Sequence, residues 1–419
     1  MNKYLTSLLL FLVFIFIYYI GSFAKIPFAD CVGFVVETEK GKLATTATAI
    51  THFLYLNTAI LIKNILNLNA IQANRLLVIF SGAACVSMVF LTVKSLIKTD
   101  WIAITSAIIF GFSFSFWKNA EIVEVYTYNT LWVSLFFFCI VQSFIKPKSI
   151  YILGAGIFLG ISLWLHIQNI LLIPAFLLFL YYFREEKKSS LLSFVFFTVL
   201  FSMLFILNYS QGLPLKSPLS SEQGHWVEDS LKKSLVQYIQ DLVKSFLYLI
   251  YNFNVFTVLG ITGIIALYRS NRKMFLFFFT AGLLVYGFST FYAVTDNYVF
   301  FLPFNLIFAL AIGYGLSSVK FKTLKNYSWV CLLIPVFYYS CFRIAVFVPQ
   351  AQSFDHLKKY KGGLEYYMLP WMNNNIGILE FTIDKKEAPE PMGWMTVSAE
   401  EYIEILKSKG LTTKEIREL

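Results

Sequence analysis

The stretch TATAITHFLYLNTAILIKNIL, Thr46 to Leu66, decides how the rest of the chain is threaded. It is apolar enough to invite a membrane-spanning reading, yet His52, Asn57, Lys63 and Asn64 interrupt it. Hydropathy alone leaves it undecided. The basic residues favour one reading, because short cytoplasmic connections of membrane proteins are enriched in Lys and Arg. Suppose that 46–66 stays on one side and the N-terminus is cytoplasmic. The cytoplasmic turns then carry Lys94 and Lys98; Lys146 and Lys148; Arg184, Lys187 and Lys188; Arg269, Arg272 and Lys273; and Lys320, Lys322 and Lys325. The opposite turns near His166 and Asp296 carry no Lys or Arg. If 46–66 crossed, every basic cluster would move to the outer face. The stretch therefore reads as a juxtamembrane or re-entrant segment on the outer face, with its apolar side in the interface.

Composition agrees. The 419 residues are 58% hydrophobic and 14% charged, with mean hydropathy +0.67. Those values exclude an ordinary soluble domain and point to a multi-spanning membrane protein. The net charge of +10 belongs to basic loops, and no nucleic-acid-binding pattern accompanies it. Of the cysteines, Cys85, Cys139, Cys331 and Cys341 sit in apolar runs, and Cys31 alone sits in a polar loop. That spacing implies neither a disulfide framework nor a zinc cluster.

Apolar runs near 4–24, 72–93, 101–117, 125–145, 150–165, 167–183, 189–208, 246–268, 274–294, 298–318 and 327–348 predict about eleven spans. The first lacks a small-residue cleavage site and reads as an uncleaved helix. The expected fold is an all-α integral membrane bundle over 1–348. It carries an outer-face juxtamembrane segment, 25–71, and an outer loop, 209–245, which contributes His225, Trp226, Glu228 and Asp229. Residues 349–419 form a small extracytoplasmic α/β tail. There ILEFTI reads as a strand, and SAEEYIEIL as a helix capped by Ser398 with Glu401 three residues on. The protein is thus expected in the cell membrane, with its N-terminus cytoplasmic and its tail outside.

This threading places Asp30, His52, Glu121, Glu124, His166, Gln168, Asn169 and Asp296 together on the outer side. Polar groups from separate connections that converge on one face resemble a site more than a scatter.

At these residues a family resemblance appears. WKNAEIVEVYTYNTLWVSL resembles the F-W-x-x-A-x-x-x-E-V-Y-T-L segment of a multi-spanning family related to the protein O-mannosyltransferases, within the GT-C glycosyltransferase superfamily. GIFLGISLWLHIQN resembles its L-G-L-S-x-x-x-H helix start, and DNYVFFLPFN its D-x-Y-x-L-P helix. Asp30 matches the acidic residue of its first outer loop. The first loop departs from the family pattern: it reads DCVGFVVE, and a later His-Pro-Pro-Gly stretch is replaced by THFLYLN, which keeps His52. The resemblance implies an enzyme that moves a sugar from a polyprenyl-phosphate donor to a protein or glycan acceptor outside the cytoplasm, with inversion.

Such chemistry needs a base, which Asp30 would supply. Glu124 would position it, and Glu121 lies three residues earlier, on the same face if the segment is helical. Arg75 and Lys118 would steady the leaving phosphate, against snorkelling as the plain alternative. Arg343, inside an apolar run, is a further site candidate. His166 would donate to phosphate or fix a carboxylate, and His52 joins it. Asp296 with Asn297 is a substrate contact or else a helix cap. Tyr126, Tyr128, Trp117 and Trp164 fit an interfacial aromatic belt or sugar stacking. A divalent ion bridging Asp30, Glu124 and phosphate is compatible with the carboxylates. Two other classes compete: a surface-polysaccharide polymerase or ligase, and a lipid-linked-sugar flippase. A flippase would call for mid-bilayer acids and repeated halves, neither of which is present.

Overall fold

A computed structural model describes residues 2–48, 50–219, 225–294, 296–319 and 322–419. Lys320 of the last basic cluster and part of the 209–245 loop lie outside the described residues.

Helix α1 (Lys3–Gly21) is followed by a short α2 (Cys31–Lys40), α3 (Phe53–Leu66) and the long α4 (Ala70–Ile97). Next come α5 (Asp100–Gly111), α6 (Phe114–Glu121), α7 (Tyr126–Ile145), α8 (Ser149–Ser162), α9 (Ile173–Tyr182) and α10 (Lys187–Ser210). A short α11 (Trp226–Leu231) leads to α12 (Leu235–Phe253), α13 (Thr257–Ser270), α14 (Arg272–Phe291), α15 (Leu302–Ser318) and α16 (Ile334–Ala345). The tail forms α17 (Pro349–Leu357), α18 (Gly363–Met368), α19 (Ile378–Ile383), α20 (Gly393–Ser408) and α21 (Thr413–Arg417).

Among the described residues, eight helical segments are long and apolar enough to cross a membrane, and nine if α5 and α6 count as one bent span. The count of eleven is not reached by this measure. The 150–165 and 167–183 runs form shorter helices, with α8 at 14 residues. The 246–268 run belongs to a 36-residue unit, Leu235–Ser270, interrupted at Asn254, whose φ is +41°. Burial separates centre from rim. In α15, 89% of the apolar window is buried inside the protein, against 17% in α10 and α16, whose apolar side chains face outward.

The 101–117 run is not a straight span. α5 and α6 meet at 65°. A broken helix frees backbone carbonyls and amides that a membrane interior cannot hydrate. Here the protein supplies partners: Tyr18 Oη donates to the Gly111 carbonyl and Tyr338 Oη to the Phe112 carbonyl, both at 2.9 Å. The Ser115 amide donates to Asn252 Oδ1 at 2.8 Å.

α3 is 14 residues, about 21 Å long at the helical rise, short of a ~30 Å hydrocarbon core. Its start is held to the end of α8, with the Leu54 amide donating to the Trp164 carbonyl at 3.1 Å. Its end is held to α2, with Lys63 Nζ donating to the Glu39 carbonyl at 2.9 Å. Ahead of it, Asn208 of α10 clamps Ala47 by accepting from its amide at 2.7 Å and donating to its carbonyl at 2.9 Å.

Two apolar cores result. One runs through the bundle. The second lies at one end of it and joins Phe23, Ile26, Phe28 and α2 to Ile122, Val123 and the tail residues Ile378, Phe381, Tyr402 and Ile416. The tail is therefore no loose appendage. It is also not α/β: ILEFTI is the helix α19, and no strand occurs among the described residues. α20 begins at Gly393, so Ser398 lies inside a helix and caps nothing. At this tail-bearing end lie Asp30, Glu124, His166 and Asp296, while the basic turns 94–98, 146–148, 184–188 and 269–273 close the opposite end.

Candidate active site

Three carboxylates from distant connections meet at the tail-bearing end. Asp30 closes the α1–α2 connection, Glu124 sits in the four-residue break between α6 and α7, and Asp296 precedes a 3-10 turn, Asn297–Phe301. They lie close enough that the charges of Asp30 and Asp296 both act on Glu124, and Asp30 acts on Asp296. None of the three forms a salt bridge among the described residues, and neither Asp30 nor Asp296 uses its side chain as a helix cap. The capping alternative for Asp296 thus fails; Asn297 instead donates to the Ser289 carbonyl at 3.1 Å.

The backbone before Asp30 is strained. Ala29 adopts φ +95°, a conformation that costs a non-glycine residue about 1–3 kcal/mol and persists only where surroundings impose it. The Ala29 amide donates to Met395 Sδ of α20 at 3.3 Å, so the tail helps hold this turn.

The carboxylates differ in environment. Asp30 is exposed by surface area but crowded by protein on its flanks, and that desolvation raises its pKa. Glu124 is buried, 4% exposed, with Cys31 Sγ donating to its Oε1 at 3.6 Å. Burial first, then the charges of Asp30 and Asp296, push its pKa well up. Asp296 is raised by burial and by Asp30, with Lys361 and Lys244 opposing. An acid so placed keeps its proton more readily, whereas the more open Asp30 is the better acceptor of one.

Beside the acids stands a histidine pair. The His52 and His166 rings are 5.3 Å apart, and His166 lies 5.8 Å from the Tyr126 ring. His52 Nδ1 is 2.7 Å from the Leu165 carbonyl, which requires a proton on Nδ1. His166 Nδ1 accepts from the Gln168 amide at 3.3 Å, which leaves its proton on Nε2. Burial holds both rings neutral: it lowers the pKa of His52, and that of His166 falls to about 3 with help from His52. A shallow recess lies between His52, Trp164, Leu204 and Pro218.

Other candidates are held by other partners. Glu121 and Glu124 do not share a face, because α6 ends at Glu121. Glu121 accepts from Trp117 Nε1 and lies within the field of Arg75; Arg75 Nε donates to Ser22 Oγ at 3.2 Å. That cluster pins the end of α1. Lys118 does not pair with Glu121 but donates to the Tyr366 carbonyl of α18. Arg343 is exposed on α16, over the Tyr339 ring at 6.0 Å, and joins none of these groups. The outer-loop residues His225, Glu228 and Asp229 are exposed on α11 and stay apart from the acids. No three His, Cys, Asp or Glu side chains are gathered at metal-ligand spacing among the described residues. Sequence reading missed Cys31, Tyr298, Lys361 and Tyr366 as neighbours of the acids. The dense LKKYKGGLEYY stretch was the visible signal for Lys361 and Tyr366.

Residues 13–190 match the family described as protein O-mannosyl-transferase TMEM260 N-terminal domain. Over those residues the chain is similar to that family. The matched segment contains Asp30, His52, Glu124 and His166 and ends before Asp296. No curated protein sequence matches the chain. Among solved structures, the chain is similar to ArnT from Cupriavidus metallidurans in the apo state. The TM-score is 0.57 at 11% identity, over 81% of this chain and 65% of that one. ArnT from the same organism bound to undecaprenyl phosphate gives 0.54 at 11% identity, over 81% and 64%. The chain thus spans just under two thirds of the length of those proteins, and what they share with it at this identity is the fold.

Proposed function

We propose that the chain is a membrane glycosyltransferase of the GT-C type. It would pass a sugar from a polyprenyl-phosphate donor to an acceptor on the extracytoplasmic face, with inversion. The observation that carries this reading is the convergence of Asp30, Glu124 and Asp296, with no salt bridge among the described residues, at one end of a bundle whose residues 13–190 match an O-mannosyltransferase family. ArnT bound to undecaprenyl phosphate supports the donor class. Orientation follows from the basic turns at the far end, which belong in the cytoplasm. Both ends of α3 and the tail sit with Asp30, which supports an odd number of crossings and a tail outside the cell membrane.

In this reading Asp30, as carboxylate, takes the proton of an acceptor hydroxyl while that oxygen bonds to the anomeric carbon. The carbon–oxygen bond to phosphate breaks on the opposite face, and the polyprenyl phosphate leaves with the electron pair. Glu124, held neutral, has a proton to donate and so orients Asp30 rather than repelling it. Asp296 would receive sugar or acceptor hydroxyls. His166, with its proton on Nε2, would donate to a substrate oxygen, and His52 supports it. Arg75 and Glu121 fix the end of α1 and hence the Asp30 loop. Arg343 has no role here. A divalent ion arriving with the donor would find Asp30 and Glu124 nearest, and no step depends on it.

The test is transfer from a panel of polyprenyl-phosphate sugars by the purified protein, followed by mass spectrometry. Transfer with inversion, lost in Asp30→Asn, supports the reading. Substrate that crosses a vesicle membrane unmodified, with no transfer to any acceptor, would replace it with the flippase.

A further inference from the structure

Lys118 is an unusual lysine. It is 3% exposed, on a helix whose every residue is buried, and no carboxylate pairs with it among the described residues. A buried ammonium without a counter-ion is costly unless an anion joins it. What it has is a neutral substitute, the Tyr366 carbonyl, and the face of the Tyr366 ring at 4.3 Å. The charged group nearest in effect is a second cation, Lys361. Lys361 lies over the same two rings as Lys118, 5.8 Å from Tyr366 and 5.3 Å from Tyr367, where Lys118 is 5.9 Å from Tyr367. Its salt-bridge partner among the described residues is Glu390, at 3.4 Å, which Lys358 and the Tyr360 hydroxyl also engage, and its charge also acts on Asp296. Two ammonium groups have thus been brought together on the wall of the acid site, against their mutual repulsion.

The cover over Lys118 is α18. α18 follows two glycines with left-handed backbone, Gly362 at φ +113° and Gly363 at φ +59°. It is held by side-chain bonds that include the Leu364 amide to Asp355 Oδ1 and Tyr251 Oη to the Met368 carbonyl, both at 2.7 Å. A carbonyl oxygen on a buried ammonium occupies the position that a phosphate oxygen would take.

We propose that Lys118 and Lys361 form a seat for a phosphate group, and that α18 covers this seat by lending Lys118 the Tyr366 carbonyl until phosphate displaces it. The tail then belongs to the substrate site and is more than a support for it. This rests on the donor reading above where the phosphate is that of a lipid. Lys118 reaches it from the bundle and Lys361 from the tail, so neither half of the chain makes the seat alone.

The experiment measures binding to the full chain in lipid nanodiscs with three probes: undecaprenyl phosphate, undecaprenol and inorganic phosphate. The variants are Lys118→Met, Lys361→Gln and Lys361→Arg, with Lys359→Gln, an exposed lysine of the same segment, as control. Wild type should prefer undecaprenyl phosphate to undecaprenol. Lys118→Met and Lys361→Gln should each weaken phosphate-dependent binding about tenfold or more, the worth of a hydrogen bond to a charged group. Lys361→Arg and Lys359→Gln should hold within about threefold, since each keeps the seat's charge. Inorganic phosphate that binds wild type and is lost in the same two variants supports the seat and names soluble phosphate as its source. If wild type prefers undecaprenyl phosphate and both variants bind it unchanged, the seat is wrong and the donor reading stands. If wild type binds neither phosphate probe, both fall.

Discussion

Lys25 and Asn375 exchange a reciprocal pair of hydrogen bonds. The Lys25 amide donates to Asn375 Oδ1 at 3.0 Å, and Asn375 Nδ2 donates to the Lys25 carbonyl at 3.0 Å. The carboxamide thus serves backbone that has no helical partner, five residues before Asp30. Asn375→Ala would strand both groups, at about 1–3 kcal/mol of tail docking. Amide exchange across 378–383 should rise while that of α4 and α15 stays unchanged. Equal exchange in both proteins would show that this pair does not hold the tail.

Asp30→Asn should abolish sugar transfer and leave membrane insertion and donor binding intact. The base acts deprotonated, so transfer by the wild type should fall as pH drops through the pKa of Asp30, which crowding raises above 3.8. The acid limb of kcat/KM therefore belongs above the usual aspartate range. A limb at or below that range, or full turnover in the variant, would remove Asp30 from the chemistry.

Glu124 carries an opposite dependence in stability. Its folded pKa is raised above the ordinary 4.5, so the folded state binds the proton more tightly than the unfolded chain. Stability contributed by the neutral form is present below about pH 4.5 and is lost as pH rises toward the folded pKa. Glu124→Gln has no proton to lose. Thermal melting should show the variant gaining on the wild type as pH rises from 4.5, and a constant gap across that window would contradict the burial of the carboxyl.

The histidines run the other way. His166 titrates near 3 when folded and near 6.5 otherwise, so the unfolded chain binds protons first. Stability should fall as pH drops below 6.5. His166→Gln, measured by the same melting experiment, should flatten that slope.

Gly263 and Gly315 let α13 and α15 touch. A Cβ on Gly263 would lie 1.7 Å from the Ala311 carbonyl oxygen, and one on Gly315 2.0 Å from that of Leu259. Small residues at such contacts are what allow membrane helices to pack closely. Gly263→Ala should separate the helices and cost about 1–3 kcal/mol, read as reduced folded yield in detergent. Gly287→Ala meets nothing within 4 Å and is the control.

The convergence of Asp30, Glu124 and Asp296 was legible because charge bias assigns each loop to an end of the bundle, and that needs no knowledge of side-chain contacts. What the sequence hid depended on contacts between distant residues. No proline or glycine in FWKNAEIVEVY announces the break after Glu121. It arises because Ser22 Oγ and the Phe23 amide take the Glu121 carbonyl, at 3.0 and 3.3 Å, where the helix would have continued. ILEFTI looks like a strand by composition, yet Ile378, Leu379 and Phe381 bury together as one face of a helical turn in the second core, and packing overrides local preference. The S-x-x-E signal at Ser398 is a good cap in isolation, but α20 extends a further turn back to place Met395 against Ala29. The role of the tail was invisible for the same reason: Asn375 meets Lys25 across 350 residues.

That separation has a consequence for biogenesis. A ribosome delivers Phe28 and Cys31 well before Phe381, Tyr402 and Ile416, since synthesis proceeds from the N-terminus. The bundle can assemble beforehand, but the loop bearing Asp30 stays unwalled until the closing helices emerge and fold over it. The enclosure of Asp30 therefore depends on residues made hundreds of positions after it, so a chain stopped before Ile378 would sit in the bilayer with that loop bare.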